Sequence, residues 1–177
     1  MIVRDERPED APAIRQVLEE AFGQTAEADL VDRLHDADTV SVSAVAVHRS
    51  GDDETGPDRI IGHILFSMVT IGGRHPAAPA VGLAPMAVTP SHQRCGVGTA
   101  LVETGLERCR DDGVGLVVVL GHPAYYPRFG FRPAHLSSLS CEYASPPEAF
   151  MVLELTQGVL SACAGVVRYH PVFGELG

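Results

Sequence analysis

Between Ala80 and Leu120 the chain has few ways to arrange itself. An apolar strand, Ala80 to Val88, stops at the turn Thr89-Pro90-Ser91. The loop Gln93-Arg94-Cys95-Gly96-Val97-Gly98 follows and runs into a helical pattern from Thr99 to Arg110. Val102, Leu106 and Cys109 recur on one face of that helix, with Glu103, Glu107 and Arg110 opposite. Asp111-Asp112-Gly113 stops it, and Val114 to Leu120 is a continuous apolar run, as a strand covered on both faces requires. A strand–helix–strand unit of this kind returns its second strand parallel to the first. Glycines in the loop let the backbone come close to a ligand. The first amides of the helix lack intrahelical partners, and the helix dipole adds positive charge beside them. The stretch is therefore a candidate phosphate or pyrophosphate site.

The flanking segments supply a mixed set of elements. Met1 to Arg4 reads as a short strand. Ile14, Val17, Leu18 and Phe22 give a helix over Glu9 to Phe22, and Leu30, Val31 and Leu34 a second over Ala26 to Ala37. Val40 to His48 alternates as a strand, with one face apolar and the other mixed. Ser50 to Asp58 is a polar hairpin loop, and Arg59 to Ile71 a long apolar strand. Gly72 to Pro79 is expected to be a turn-rich connection. Beyond Leu120, Pro123 opens a very short helix that ends at Gly130, and Phe131 to Ala134 starts a strand. His135 to Pro147 reads as irregular, Phe150 to Leu155 as a strand, Gly158 to Ala162 as a helical turn and Val166 to Tyr169 as a last strand. Residues 1–177 are expected to form one α/β (α+β) domain, a mixed central sheet flanked by helices.

Composition removes several functions. The formal net charge of −10 argues against bulk nucleic-acid binding and favours a cationic partner such as an amine. All 13 basic residues are Arg, so Schiff-base lysine chemistry and the lysine-dependent P-loop are excluded. Cys95, Cys109, Cys141 and Cys163 are widely spaced and suit neither zinc nor a disulfide framework, so no metal is expected. No apolar run approaches bilayer length and the first residues lack a signal-peptide core, so the expected location is the cytoplasm, with no membrane partner. The apolar segment Val152 to Phe173 is a candidate contact for a second copy, giving a homodimer.

A Gly-x-Gly alone also fits a plain tight turn. Here no Gly-Lys-Ser/Thr follows, and Leu101 stands where a dinucleotide fingerprint needs its third glycine. Gln93-x-x-Gly96-x-Gly98, behind a strand ending Pro85-Met86-Ala87-Val88, resembles the acyl-CoA-binding motif of the GNAT superfamily of N-acetyltransferases. Tyr126-Pro127-Arg128-Phe129-Gly130-Phe131 is similar to that superfamily's later Tyr-x-x-x-Gly-Phe element, and the motifs stand in its order. Gly62 to Ser67 and Ala124 to Phe129 look like its bacterial YhbS-like branch.

The resemblance implies a sheet that splays open between the strand ending at Val88 and the strand Val114 to Leu120. It also implies acetyl-CoA as co-substrate, with the pantetheine arm on the backbone of Met86 and Val88 and the pyrophosphate on the amides of Arg94, Cys95, Gly96, Val97, Gly98 and Thr99. The acetyl group would pass directly to a primary amine of a small molecule or peptide. Such a reaction needs a deprotonated amine, a donor to the carbonyl oxygen and a proton for the leaving thiolate. The backbone near Ala87 or Val88 supplies the donor, and Tyr126 is the candidate proton source. Leu83-Ala84-Pro85 stands where the superfamily often carries a glutamate, so the base is left to His63, His122 or water. Cys95 is expected to offer its amide alone, a covalent acyl-cysteine being the alternative. A catalytically silent acyl-CoA-binding module remains the competing function.

Overall fold

The computed structural model describes residues 1–49, 58–74 and 76–176. In chain order it contains β1 (Ile2–Asp5), α1 (Ala11–Phe22), α2 (Ala26–Asp36), β2 (Val40–His48), β3 (Arg59–Met68), β4 (Thr70–Arg74) and β5 (Ala80–Val88). Then follow α3 (Val97–Asp111), β6 (Leu116–Leu120), β7 (Arg132–Pro133), β8 (Leu139–Cys141), β9 (Phe150–Glu154) and β10 (Ala164–Arg168). Seven strands form one sheet in the order β1-β2-β3-β5-β6-β9-β7, and β4-β10-β8 form a second.

Two apolar layers cover the large sheet. Ile14, Val17 and Leu18 of α1 and Leu30, Val31 and Leu34 of α2 pack with Val45, Val47, Leu65 and Leu116 on one face. On the other, Leu101, Val102 and Leu106 of α3 pack with Ala44, Ala46, Phe66 and Val117. This explains the mixed pattern of β2: both of its faces are buried, so strict alternation is not required. Each fully buried aliphatic side chain contributes about 1.5–3 kcal/mol. Arg4 closes the rim with a two-pronged bond to Asp10 at 2.6 and 2.9 Å, joining β1 to the start of α1.

The expected parallel pair is present and short. β5 and β6 pair only from Ala80 with Leu116 to Gly82 with Val118. Just beyond, Ile64 faces Met86 while Phe66 faces Leu83, so Ala84 and Pro85 together stand opposite Leu65 alone. That is a bulge on β5. A bulge bends its strand, and proline suits it because it has no N–H to give the ladder. From there β5 leaves β6 and stays with β3, which produces the splay.

Several boundaries differ from expectation. The long strand Arg59 to Ile71 is two strands, β3 and β4, that serve different sheets. Gly72, Gly73 and Arg74 are not a turn but the end of β4, paired with Ala164 to Val166. The segment His135 to Pro147 carries β8, parallel to β10. These short or glycine-bearing strands have no local signature and are strands because of a distant partner. Residues 50–57 of the expected hairpin loop and residue 75 of the expected connection lie outside the described residues. Of the apolar residues of Val152 to Phe173, expected as a contact for a second copy, Val152, Cys163, Val167, Tyr169 and Phe173 are buried within the chain. Among the described residues no helix is long and apolar enough to cross a membrane.

Candidate active site

The splay leaves one edge of β5 without a strand. The Thr89 amide donates to Ile61 O at 2.9 Å, so residue 89 faces β3. Backbone direction alternates along a strand, and Met86 and Val88 therefore turn their N–H and C=O groups to the open edge. Ala87 faces β3 opposite His63, and its side chain is buried. The side chain of Gln93 donates to Val88 O at 3.1 Å and folds the following loop back on the strand end.

That loop delivers the start of α3. Gly96 is the N-cap at φ 83, a left-handed conformation that suits glycine, and no side chain caps the helix. Ala100 N is the first amide bonded within the helix, to Gly96 O at 3.0 Å. The amides of Val97, Gly98 and Thr99 are left as free donors at the positive end of the dipole. The helix thus starts two residues earlier than the apolar pattern indicated. A Cβ on Gly98 would lie 2.9 Å from the Tyr125 hydroxyl, so glycine lets that phenol close over the first turn.

Met86, Val88, Gln93, Arg94, Gly96, Gly98 and Thr99 line one cavity of about 660 Å³ together with Tyr125 and Arg128. Of the residues singled out in the sequence, Ala87, Cys95 and Val97 do not line it. Val97 is buried in the core, and the exposed Cys95 donates its thiol to Gln93 O. In the sequence Arg128 has no role beyond its place in the Tyr126 to Phe131 string. It sits on the short 3-10 turn Tyr126–Phe129, donates from Nε to Tyr125 O at 2.9 Å and holds its guanidinium 4.5 Å from the Tyr125 ring centre. Residues three apart eclipse on such a turn, a signal that could have placed Arg128 beside Tyr125. Arg94 and Arg128 add side-chain positive charge to the fixed amides, so the cavity is a cradle chemically suited to an anion.

At Met86 this cradle meets a second cavity of about 570 Å³. Tyr126 lines it at the mouth of the splay, with Leu83 to Pro85 of β5 and Leu120 of β6. Tyr126 is 7% exposed and packs edge-on against Tyr125 and Phe131, with ring centres 5.1 and 5.6 Å away. Burial pushes its phenol up to about 12, so it is a protonated donor at neutral pH. The far wall joins Phe22, Glu27 and Leu30 to Tyr143, Tyr169 and Phe173. No sequence signal marked Glu27, because this wall gathers segments that are remote along the chain.

Neither histidine proposed as a base lines these cavities. His122 is exposed, and its carbonyl accepts the Tyr125 amide. His63 is fully buried, with Nε2 2.9 Å from Ser43 Oγ and 3.6 Å from Glu6. Burial lowers its pKa, so it is neutral and its approach to Glu6 is not an ion pair. Burial also opposes ionisation of Glu6, but hydrogen bonds from His35, His63 and Ser43 outweigh it and hold the carboxyl well below the usual range. This group knits β1, α2, β2 and β3 away from the splay. Among the described residues no cluster of three His, Cys, Asp or Glu side chains could hold a metal ion.

Comparison with known proteins agrees with the fold. Residues 3–134 match the family described as acetyltransferase (GNAT) domain. Over 175 residues the chain is 36% identical to the uncharacterized N-acetyltransferase YhbS of Escherichia coli strain K12, covering 99% of both chains. It is 40% identical over 126 residues to YjhQ of the same strain, covering 70% of this chain and 65% of that one. The crystal structure of E. coli YhbS in complex with CoA superposes with a TM-score of 0.88 at 35% identity, over 99% of this chain and 93% of the other. A GNAT family acetyltransferase from Brucella melitensis in complex with acetyl-CoA gives 0.75 at 35% identity, over 97% of each.

Proposed function

We propose that this chain, which belongs to the GNAT acetyltransferase family, moves an acetyl group from acetyl-CoA to a primary amine of a small molecule or peptide by direct attack, residues 1–177 acting as one catalytic domain. The carrying observation is the junction at Met86: an uncapped helix start and an open strand edge share one cavity, and the buried Tyr126 opens onto the adjoining one. The CoA and acetyl-CoA complexes of the E. coli and Brucella relatives support the choice of co-substrate. Acetyl-CoA supplies the activated thioester.

Neither His63 nor His122 lines the cavities, so water takes the amine's proton; the chain's own groups do the rest. The amides of Arg94, Cys95, Gly96, Val97, Gly98 and Thr99 hold the pyrophosphate, with Arg94 and Arg128 as charged partners. The Val88 amide, on the open edge of β5, donates to the pantetheine arm, and the Met86 amide, at the junction with the Tyr126 cavity, donates to the thioester carbonyl as charge builds on its oxygen. Tyr126 protonates the departing thiolate. Apolar walls exclude water, which raises the worth of each donor.

The test incubates the protein with acetyl-CoA and a panel of primary amines and detects the amides by mass spectrometry. Amide formation that tracks release of free thiol is expected. Tight CoA binding with no amide from any amine would overturn the assignment.

A further inference from the structure

The second cavity has a chemical bias that the acetyl-transfer reading does not by itself supply. Among the described residues Glu27 is the one charged side chain on its wall, and no arginine lines it. Glu27 is half-buried in the first turn of α2 and receives the Gln24 side-chain amide on both oxygens, at 3.0 and 3.1 Å. It makes no ion pair among the described residues. The surrounding surface is aromatic and aliphatic: Phe22, Leu30, Leu120, Tyr143, Tyr169 and Phe173. Phe22 and Leu120 are 42% and 41% exposed, and both face this space. Large apolar side chains left open at the rim of a cavity mark the place where an apolar ligand is desolvated.

We infer that the acceptor is a monoamine carried on an apolar body, an aralkylamine or alkylamine, and that Glu27 fixes its specificity by receiving the ammonium group. This rests on the acetyl-transfer reading for its chemistry but concerns a different wall of the site. An unpaired carboxylate in a partly desolvated position favours one cation beside it. The same wall penalises a ligand with further charges or hydroxyls, because it offers them few partners and each would be buried unsatisfied. A polyamine has surplus ammonium groups and an amino sugar has surplus hydroxyls. A phenyl or alkyl body leaves nothing unpaired. The cavity joins the acyl-CoA cradle at Met86, which lines both; the ammonium held by Glu27 gives its proton to water, and the neutral amine leaves the carboxylate and moves along this route to the thioester.

The experiment measures binding and turnover separately. Phenethylamine, spermidine and glucosamine are titrated calorimetrically into the CoA complex, and each is assayed with acetyl-CoA and with hexanoyl-CoA. Phenethylamine is expected to bind at least tenfold more tightly than the other two and to have the lowest KM. Glu27→Gln is expected to weaken phenethylamine binding and raise its KM at least tenfold, with the Kd for CoA unchanged within twofold; a carboxylate that served folding alone would not produce this split. Equal or better use of spermidine or glucosamine overturns the inference. So does an unchanged phenethylamine KM in Glu27→Gln, or a preference for hexanoyl-CoA, which would make this space an acyl pocket. Phenethylamine binding that needs Glu27 but leads to no amide would uphold the cavity assignment and sink acetyl transfer. Acetylation of hydrophilic amines with no phenethylamine binding would do the reverse.

Discussion

Tyr126 is where sequence and geometry press hardest on the chemistry. Its phenol is held in an apolar corner by Tyr125 and Phe131, and the resulting rise in pKa has a definite sign. An acid must be protonated to act, so activity is lost only above its pKa. A value near 12 moves that loss beyond the working range. The rate should therefore climb with pH as the amine loses its proton, and an initial-rate profile should show no descending limb from this tyrosine below pH 11. Tyr126→Phe removes the donor and leaves the ring packing. We expect kcat to fall about 100-fold, the usual scale for a general acid, with the Kd for CoA within about twofold of wild type. A full kcat in Tyr126→Phe across the pH range would remove the tyrosine from the mechanism. The tyrosine was legible from its place in a Tyr-x-x-x-Gly-Phe string. His63 was misleading because a lone histidine on a strand says nothing about which face or end of the sheet it reaches, and here it is folded in with Glu6 and Ser43.

The unit that organises the site is β5, the loop and α3. Its signals are local: an apolar run, a proline-marked turn, paired glycines and a helical stripe. That is why the parallel pair, the loop and the helix were readable before any coordinates. The splay was not readable from the residues alone, since it needs the count of Ala84 and Pro85 against Leu65 across the sheet. Nor were β4 and β8, which exist as strands through pairing with β10. The role of the α3 N-terminus gives a prediction with opposed effects. Thr99→Asp places a carboxylate among the free amides at a position that already carries a Cβ, which favours the helix by up to about 1 kcal/mol through its dipole. The same charge competes with a phosphate for those donors. Thermal scans should show an apo Tm equal to or above wild type and a CoA-induced rise in Tm that is largely lost. A normal CoA-induced shift would mean that the pyrophosphate binds elsewhere.

Across the whole molecule, two helical layers close both faces of the sheet and leave its central split as the place where a long ligand can lie between strands. Arg4 and Asp10 tie the edge strand β1 to α1 at the rim. The Arg4 hydrogen bond is the leading cause that holds the Asp10 carboxyl below its ordinary pKa. A carboxyl with a lowered native pKa adds stability above its unfolded value of about 3.9, and that stability fades as pH falls through the native value. Asp10→Asn should cost about 2 kcal/mol in urea melts at pH 7 and clearly less at pH 3; equal costs at both would remove the charge from the explanation. The second cavity draws on α1, α2, β5, β6 and the C-terminal segment, so its aromatic wall and Glu27 came into view only with the assembled chain. The central claim, direct transfer through the split, is tested most directly by mixing a near-equal amount of acetyl-CoA with the protein and following free thiol with and without a primary amine. We predict no thiol above background without the amine, and one amide per thiol with it. A burst of one thiol per protein in the absence of amine would show an acyl-enzyme and contradict the account.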